Sequence, residues 1–150
     1  MESWVTAGKV KVKFEKGDPA AIVARAATIR EDSAYDEAWA VSDLDEFDVK
    51  PALTAAQDRD VELTLSVPCF EVWLILHLSE ACPGFNNAHQ TGAHLKKLVP
   101  TWDKTALKFD VFRAGVFDAT TRAQRLGAPP DANPSSAVWK LIESLRRADN

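Results

Sequence analysis

Asp43 and Asp45 are the residues whose type and spacing point most directly to chemistry. They are two carboxylates one residue apart, closing the apolar run Ala38-Trp39-Ala40-Val41-Ser42. A short run without polar alternation is the pattern of a strand in a parallel sheet covered by helices, and ligands of such sheets collect at the carboxyl ends of the strands. If the backbone stays extended through Leu44, both aspartates project to one side and can reach a single hard cation. The competing reading makes Asp43 the cap of the next helix and leaves Asp45 solvated. A D-x-D pair alone does not decide between them, because unrelated families end strands in the same way.

The third carboxylate of interest is Glu71. It lies at the start of Pro68-Cys69-Phe70-Glu71-Val72-Trp73-Leu74-Ile75-Leu76-His77-Leu78, the most apolar segment of the chain. Pro near its start and Glu in its first turn favour a helix over a strand, and a helix this apolar must be buried nearly all round. Glu71 then stands at the mouth of a buried helix, facing the sheet edge that holds Asp43 and Asp45. Favourable interaction with the helix dipole is the plain alternative, worth about 0.3–1 kcal/mol.

The elements that must position these groups can be read from patterning. Val10–Phe14 alternates apolar and basic residues and predicts a half-exposed strand. Asp18 as N-cap and Pro19 at the first helical position open a helix through Arg30, with Ile22, Val23, Ala26 and Ile29 on one face. Glu31–Glu37 reads as a loop, 49–58 as a second helix and Val61–Ser66 as another strand. This β-α-β-α-β order predicts an α/β fold with a mostly parallel sheet flanked by helices. Further helices are expected at Thr91–Val99, from Thr105, at Val116–Leu126 and at Ala137–Leu145, the last capped by Ser135 or Ser136.

A chain of 150 residues with 46% hydrophobic and 27% charged residues is sized and composed for one soluble domain spanning 1–150. No run approaches a membrane span, and no signal pattern opens the chain, so a cytoplasmic location without membrane contact is expected. Cys69 and Cys82 form neither a metal spacing nor a disulfide framework, and Cys69 reads as a small buried residue. His89 and His94 are five apart, off one helical face, which argues against zinc. His77 reads as a histidine at the core's edge. The net charge of −4 is uneven: residues 1–90 hold 8 basic against 16 acidic residues, and residues 91–150 hold 10 against 6. Either an acidic metal site flanked by a basic substrate surface or two solvated faces without function would give this asymmetry; under the first reading Lys96, Lys97, Arg122 and Arg125 would be the candidates for holding a nucleic-acid backbone. Asn133 and Ser135, in Asn133-Pro134-Ser135-Ser136, form either a turn or a polar loop that touches substrate or metal.

Three blocks in order, Tyr35–Asp45 (YDEAWAVSDLD), Ser66–His77 (SVPCFEVWLILH) and Asn133–Val138 (NPSSAV), resemble the RloB family. Ser42 stands where the family often has Phe, and Val67 where it often has Asn. The resemblance implies a Toprim-type domain encoded beside bacterial restriction–modification and phage-defence genes. Toprim domains hold magnesium with a strand-end D-x-D, plus a glutamate on an earlier strand, to break or join phosphodiester bonds. By that likeness Asp43 and Asp45 are metal aspartates and Glu71 a third carboxylate. Only nine residues precede Val10, too few for the glutamate strand and its helix, so that strand is expected to be missing, with Glu2-Ser3-Trp4 a remnant of the family's segment just after it. Glu15 could in principle substitute, although it belongs to a different strand.

The resemblance implies two alternative functions. One is a Mg2+-dependent nuclease of a phage-defence system. The other is a catalytically degenerate subunit that self-associates or scaffolds a partner such as an ATPase. A haloacid-dehalogenase-like phosphatase ranks below both, because Phe47 occupies a position where that family wants Thr or Val.

Overall fold

A computed structural model describes residues 10–148, so the Glu2-Ser3-Trp4 expectation lies outside the described residues. The chain is a mixed α/β protein. Helix α1 (Pro19–Ser33) is followed by strand β1 (Trp39–Asp43), helix α2 (Lys50–Arg59), strand β2 (Glu62–Val67) and the short helix α3 (Glu71–Leu76). Then come α4 (Ala88–Leu98), two 3-10 turns at Phe109–Val111 and Arg113–Gly115, α5 (Val116–Leu126), the two-residue strand β3 (Ser135–Ser136) and α6 (Val138–Ala148).

β1 and β2 pair in parallel with Trp39 opposite Glu62 and Asp43 opposite Ser66, so β1-α2-β2 is one βαβ unit. β3 joins β2 antiparallel, through Ser66 opposite Ser136 and Val67 opposite Ser135. Of the mostly parallel sheet expected from sequence, the described residues show only this parallel pair, in a three-stranded sheet of order β1-β2-β3.

Val10–Phe14 does not form the expected strand. The segment is without regular structure, and Val10, Val12 and Phe14 are 51%, 64% and 86% exposed. Alternation makes a segment competent to pair, but a strand exists only when a neighbour takes its backbone groups, and none of the described residues does so.

Two cores flank the sheet. Val23 and Ala27 of α1 and Ala56 of α2 bury Ala38, Ala40 and Val61. Asp18 starts α1 as its sequence predicts, its side chain accepting from the Ala21 amide at 2.8 Å. Arg30 of α1 donates to the carbonyls of Arg59 and Asp60 and closes the end of α2. α1 runs on through Ser33, absorbing part of the expected acidic loop. The second core gathers Val72–Leu76 of α3 with Leu95, Phe112, Ala119, Ala123 and Val138. Every residue of α3 is buried, as its apolar sequence requires.

α4 begins at Ala88, three residues before expectation, because the Asn87 side chain accepts from the Gln90 amide at 2.9 Å and caps it. The helix expected from Thr105 is replaced by the two 3-10 turns, while α5 keeps its expected bounds. Ser136 accepts from the Val138 amide at 3.3 Å at the start of α6. No helix among the described residues is long and apolar enough to cross a membrane.

Candidate metal centre

β1 ends at Asp43, and the chain turns at once. Leu44 still donates to the Ser66 carbonyl at 3.0 Å, but Asp45 adopts φ +49, the left-handed region that Asp tolerates in turns, and its amide donates to the Pro68 carbonyl at 2.9 Å. The extended geometry expected through Leu44 is thus absent, and the two aspartates do not project as a strand-borne pair. Asp45 is exposed on the turn, whereas Asp43 is half-buried.

What Asp43 meets instead is the mouth of α3. Its Oδ1 accepts from the Phe70 amide at 2.7 Å, so a strand-end carboxylate caps a helix that has no side-chain cap of its own. Both readings of Asp43 therefore meet in one geometry: it is a cap, of a helix later in sequence, and it stands at the carboxyl end of the parallel pair. Glu71, the first residue of that helix, has an 8% exposed side chain whose Oε1 lies 3.6 Å from Lys104 Nζ. Burial raises Asp43 above the usual carboxylate value, and the negative charges of Glu71 and Asp45 push the same way, against the Phe70 amide and Lys104. Asp43, Asp45 and Glu71 are thus neighbouring carboxylates, with the Lys104 ammonium beside Glu71.

Lys104 gave no signal in sequence, where Trp102-Asp103-Lys104 reads as punctuation. Hydrogen bonds from Thr105, together with the smaller influence of the Lys96 charge, hold the neighbouring Asp103 carboxyl below its usual value. Lys96 itself is exposed in the last turn of α4.

The other expected residues have different places. Lys97 and Arg125 are exposed in the last turns of α4 and α5. Arg122 is largely buried and donates from Nη1 to the Leu76 carbonyl at 2.8 Å, at the end of α3 opposite Asp43. Asn133 is tied to Phe85, donating to its carbonyl at 2.8 Å and accepting from its amide at 3.4 Å. Ser135 is buried and donates to the Ala132 carbonyl at 2.6 Å. The Asn133–Ser135 loop is thereby held by its own fold. His77 is buried, donates from Nδ1 to the Trp73 carbonyl at 2.7 Å and packs edge-on against Trp73 and Phe112. Burial lowers its pKa, and the nearby Arg122 charge pushes the same way.

Cys69 is fully buried beside Glu71, and burial together with that carboxylate pushes its thiol up to about 12; burial alone pushes Cys82 to about 11. Neither is a nucleophile near neutral pH. Iodoacetamide labelling at pH 8, followed by mass spectrometry, is expected to leave both unmodified in the folded chain and to modify both in denaturant.

No three His, Cys, Asp or Glu side chains among the described residues stand close enough to cage an ion. Mg2+ does not need a cage: it takes oxygen donors, and one or two carboxylates hold it together with water and substrate phosphate. Asp43 and Glu71 match that donor set, since among the described residues the second Asp43 oxygen accepts no hydrogen bond and Glu71 faces an exposed lysine. A cavity of about 530 Å³ lies at the opposite end of the sheet, between Glu37, Trp39, Glu62, Trp139 and Glu143. It is remote from the strand ends where parallel sheets keep their ligands.

The fold and these groups define an α/β protein with an acidic centre at the carboxyl end of a βαβ unit. The chain belongs to the RloB-like protein family, whose family model matches residues 2–145. Searches of curated proteins and of solved structures returned no match.

Proposed function

We propose that this RloB-like chain is a Mg2+- or Mn2+-dependent phosphodiester-cleaving component of a bacterial phage-defence system, acting through a Toprim-like centre. The observation that carries the proposal is that Asp43 and Glu71 meet at the mouth of α3, Asp43 bonded to the Phe70 amide and Glu71 the next residue along, two carboxylates that could share a cation. Asp43 and Glu71 would hold the ion, with Asp45 as the outer carboxylate on the adjoining turn. A bound divalent cation there supplies Lewis-acid polarisation of the scissile phosphate and charge stabilisation on the departing oxygen. Lys104, Lys96, Lys97 and Arg125 would meet the backbone phosphates of the substrate. Arg122 is committed to the α3 carbonyl and is left out of substrate binding.

The test is Mn2+ uptake by calorimetry together with cleavage of labelled DNA and tRNA, comparing the wild type with Glu71→Gln. Saturable uptake and metal-dependent cleavage that both weaken in the variant are expected. Absence of uptake by the wild type would remove the reading.

A second reading, a catalytically degenerate subunit that self-associates or scaffolds a partner ATPase, is favoured by one observation. Among the described residues β1 has a strand neighbour on one side only, and an unpaired edge invites another strand. Under this reading the purified chain binds its partner or itself and cleaves nothing.

A further inference from the structure

Three observations concern the same open edge. The first is the edge itself. Glu62 donates to the Ala38 carbonyl and Leu44 to the Ser66 carbonyl, so in the parallel ladder the backbone groups of the even-numbered residues of β1 face β2. Those of Trp39, Val41 and Asp43 consequently face away from β2, where the described residues provide no partner strand.

The second is the cover. α1 and α2 pack together and share the core that buries Ala38 and Ala40, yet α1 carries a further apolar row, Ile22, Ala26 and Ile29, that is only half-buried. The helix layer is wider than the sheet beneath it.

The third is the spare strand. Val10-Lys11-Val12-Lys13-Phe14 has strand alternation, its three apolar side chains are exposed, and only Glu15–Asp18 separates it from α1. A strand at the open edge, connected through α1 to β1, is a right-handed crossover of the same kind as β1-α2-β2, because the two helices lie on one face of the sheet. The connections, four residues before α1 and five after it, are ordinary for such units.

We propose that Val10–Phe14 docks in parallel on the free edge of β1 and thereby brings Glu15 beside Asp43 as a further carboxylate of the metal centre. The hydrophobic pattern sets the register, because a slip of one residue would turn the apolar face outward. Val10, Val12 and Phe14 then continue the Ala38/Ala40/Ser42 face beneath the half-covered row of α1. Lys11, Lys13 and Glu15 fall on the other face, opposite Trp39, Val41 and Asp43. Neighbouring strands lie about 4.8 Å apart, so the Glu15 and Asp43 carboxylates come within reach of one ion. In the described structure Glu15 is 3.6 Å from Arg25, and both side chains are about half exposed, so little opposes its release. The role of Glu15 rests on the proposed metal centre, whereas the docking does not.

Amide hydrogen exchange decides the docking. In the wild type the Trp39, Val41 and Asp43 amides are expected to exchange roughly tenfold or more slowly than in Val12→Asp, which places a charge under α1. Val12 is exposed in the described structure, so the variant keeps both cores. Fast exchange of these amides in the wild type, with and without Mg2+, overturns the proposal. So does protection that grows with protein concentration, which would mean that a second copy supplies the strand. Mn2+ titration decides the role of Glu15: in Glu15→Gln, affinity is expected to fall roughly tenfold while the amides stay protected. Unchanged affinity in a wild type that binds through Asp43 removes Glu15 from the site and leaves the proposed function standing. A wild type that binds no metal removes the proposed function and the Glu15 role together, and the exchange data still decide the docking.

Discussion

Asp43→Asn is expected to lose metal binding and metal-dependent cleavage while melting at a higher temperature than the wild type at pH 7. Cleavage should fall by roughly 10²–10³-fold, the loss typical when a group that stabilises transition-state charge is removed. The gain in stability has its own cause. Asp43 is raised above the ordinary carboxylate value of 3.8 by burial and by Glu71 and Asp45, so folding favours its protonated form. Its contribution to stability is therefore fully present below pH 3.8 and is lost as pH rises through the raised folded value. At pH 7 the charge works against the fold, and asparagine removes it while its amide oxygen still accepts from Phe70. The advantage of Asp43→Asn should shrink as pH falls toward 3.8. Asp43→Ala separates the two roles, because it removes both the charge and the cap, and loss of a helix cap costs about 1 kcal/mol. Calorimetric melting of the three proteins from about pH 3.5 to 7, with Mn2+ titration at pH 7, checks the set. A variant melting below the wild type at pH 7 in the asparagine case would mean that Asp43 is held by favourable charge interactions, contrary to its surroundings.

Gly115→Ala is expected to be among the most damaging single methyl additions to this chain. A Cβ at Gly115 would meet the backbone of His77, 2.9 Å from its carbonyl carbon and 3.0 Å from its Cα. Backbone cannot swing aside as a side chain can, and His77 is itself held in the core by Trp73 and Phe112. The two segments must separate, at a cost of about 3 kcal/mol, the upper range for overpacking. Gly92→Ala is the control: it lies within α4, where an added Cβ meets nothing within 4 Å, and should stabilise by up to about 1 kcal/mol through helix propensity. Urea unfolding of the two variants gives opposite signs on this account. Equal effects would contradict the close approach of Gly115 to His77.

The parts of this molecule legible in sequence are those decided locally or by burial. Asp18-Pro19 opens α1 because cap and first-turn chemistry need no distant partner. The apolar run before Asp43 and the all-apolar α3 are legible because complete burial leaves no polar alternation. Asp45 is misplaced by sequence because a left-handed aspartate and an extended one look alike there, and only the Asp45–Pro68 hydrogen bond separates them. Val10–Phe14 shows the limit of alternation, which describes a side-chain pattern and carries no information about the neighbouring strand. Lys104 gives no sequence signal and Arg122 a misleading one, for a single reason. Their partners, Glu71 and Leu76, are 33 and 46 residues away, and only packing brings them together.

α3 is six residues long and is anchored at both ends by side chains that are not its own: Asp43 accepts from the amide at its mouth and Arg122 donates to its last carbonyl. A helix this short cannot hold itself, so its position is set jointly by the end of β1 and by α5. The acidic centre and the helical half of the molecule are therefore one mechanical unit. Removing the Asp43 acceptor or the Arg122 donor therefore unfastens the same short helix from opposite ends.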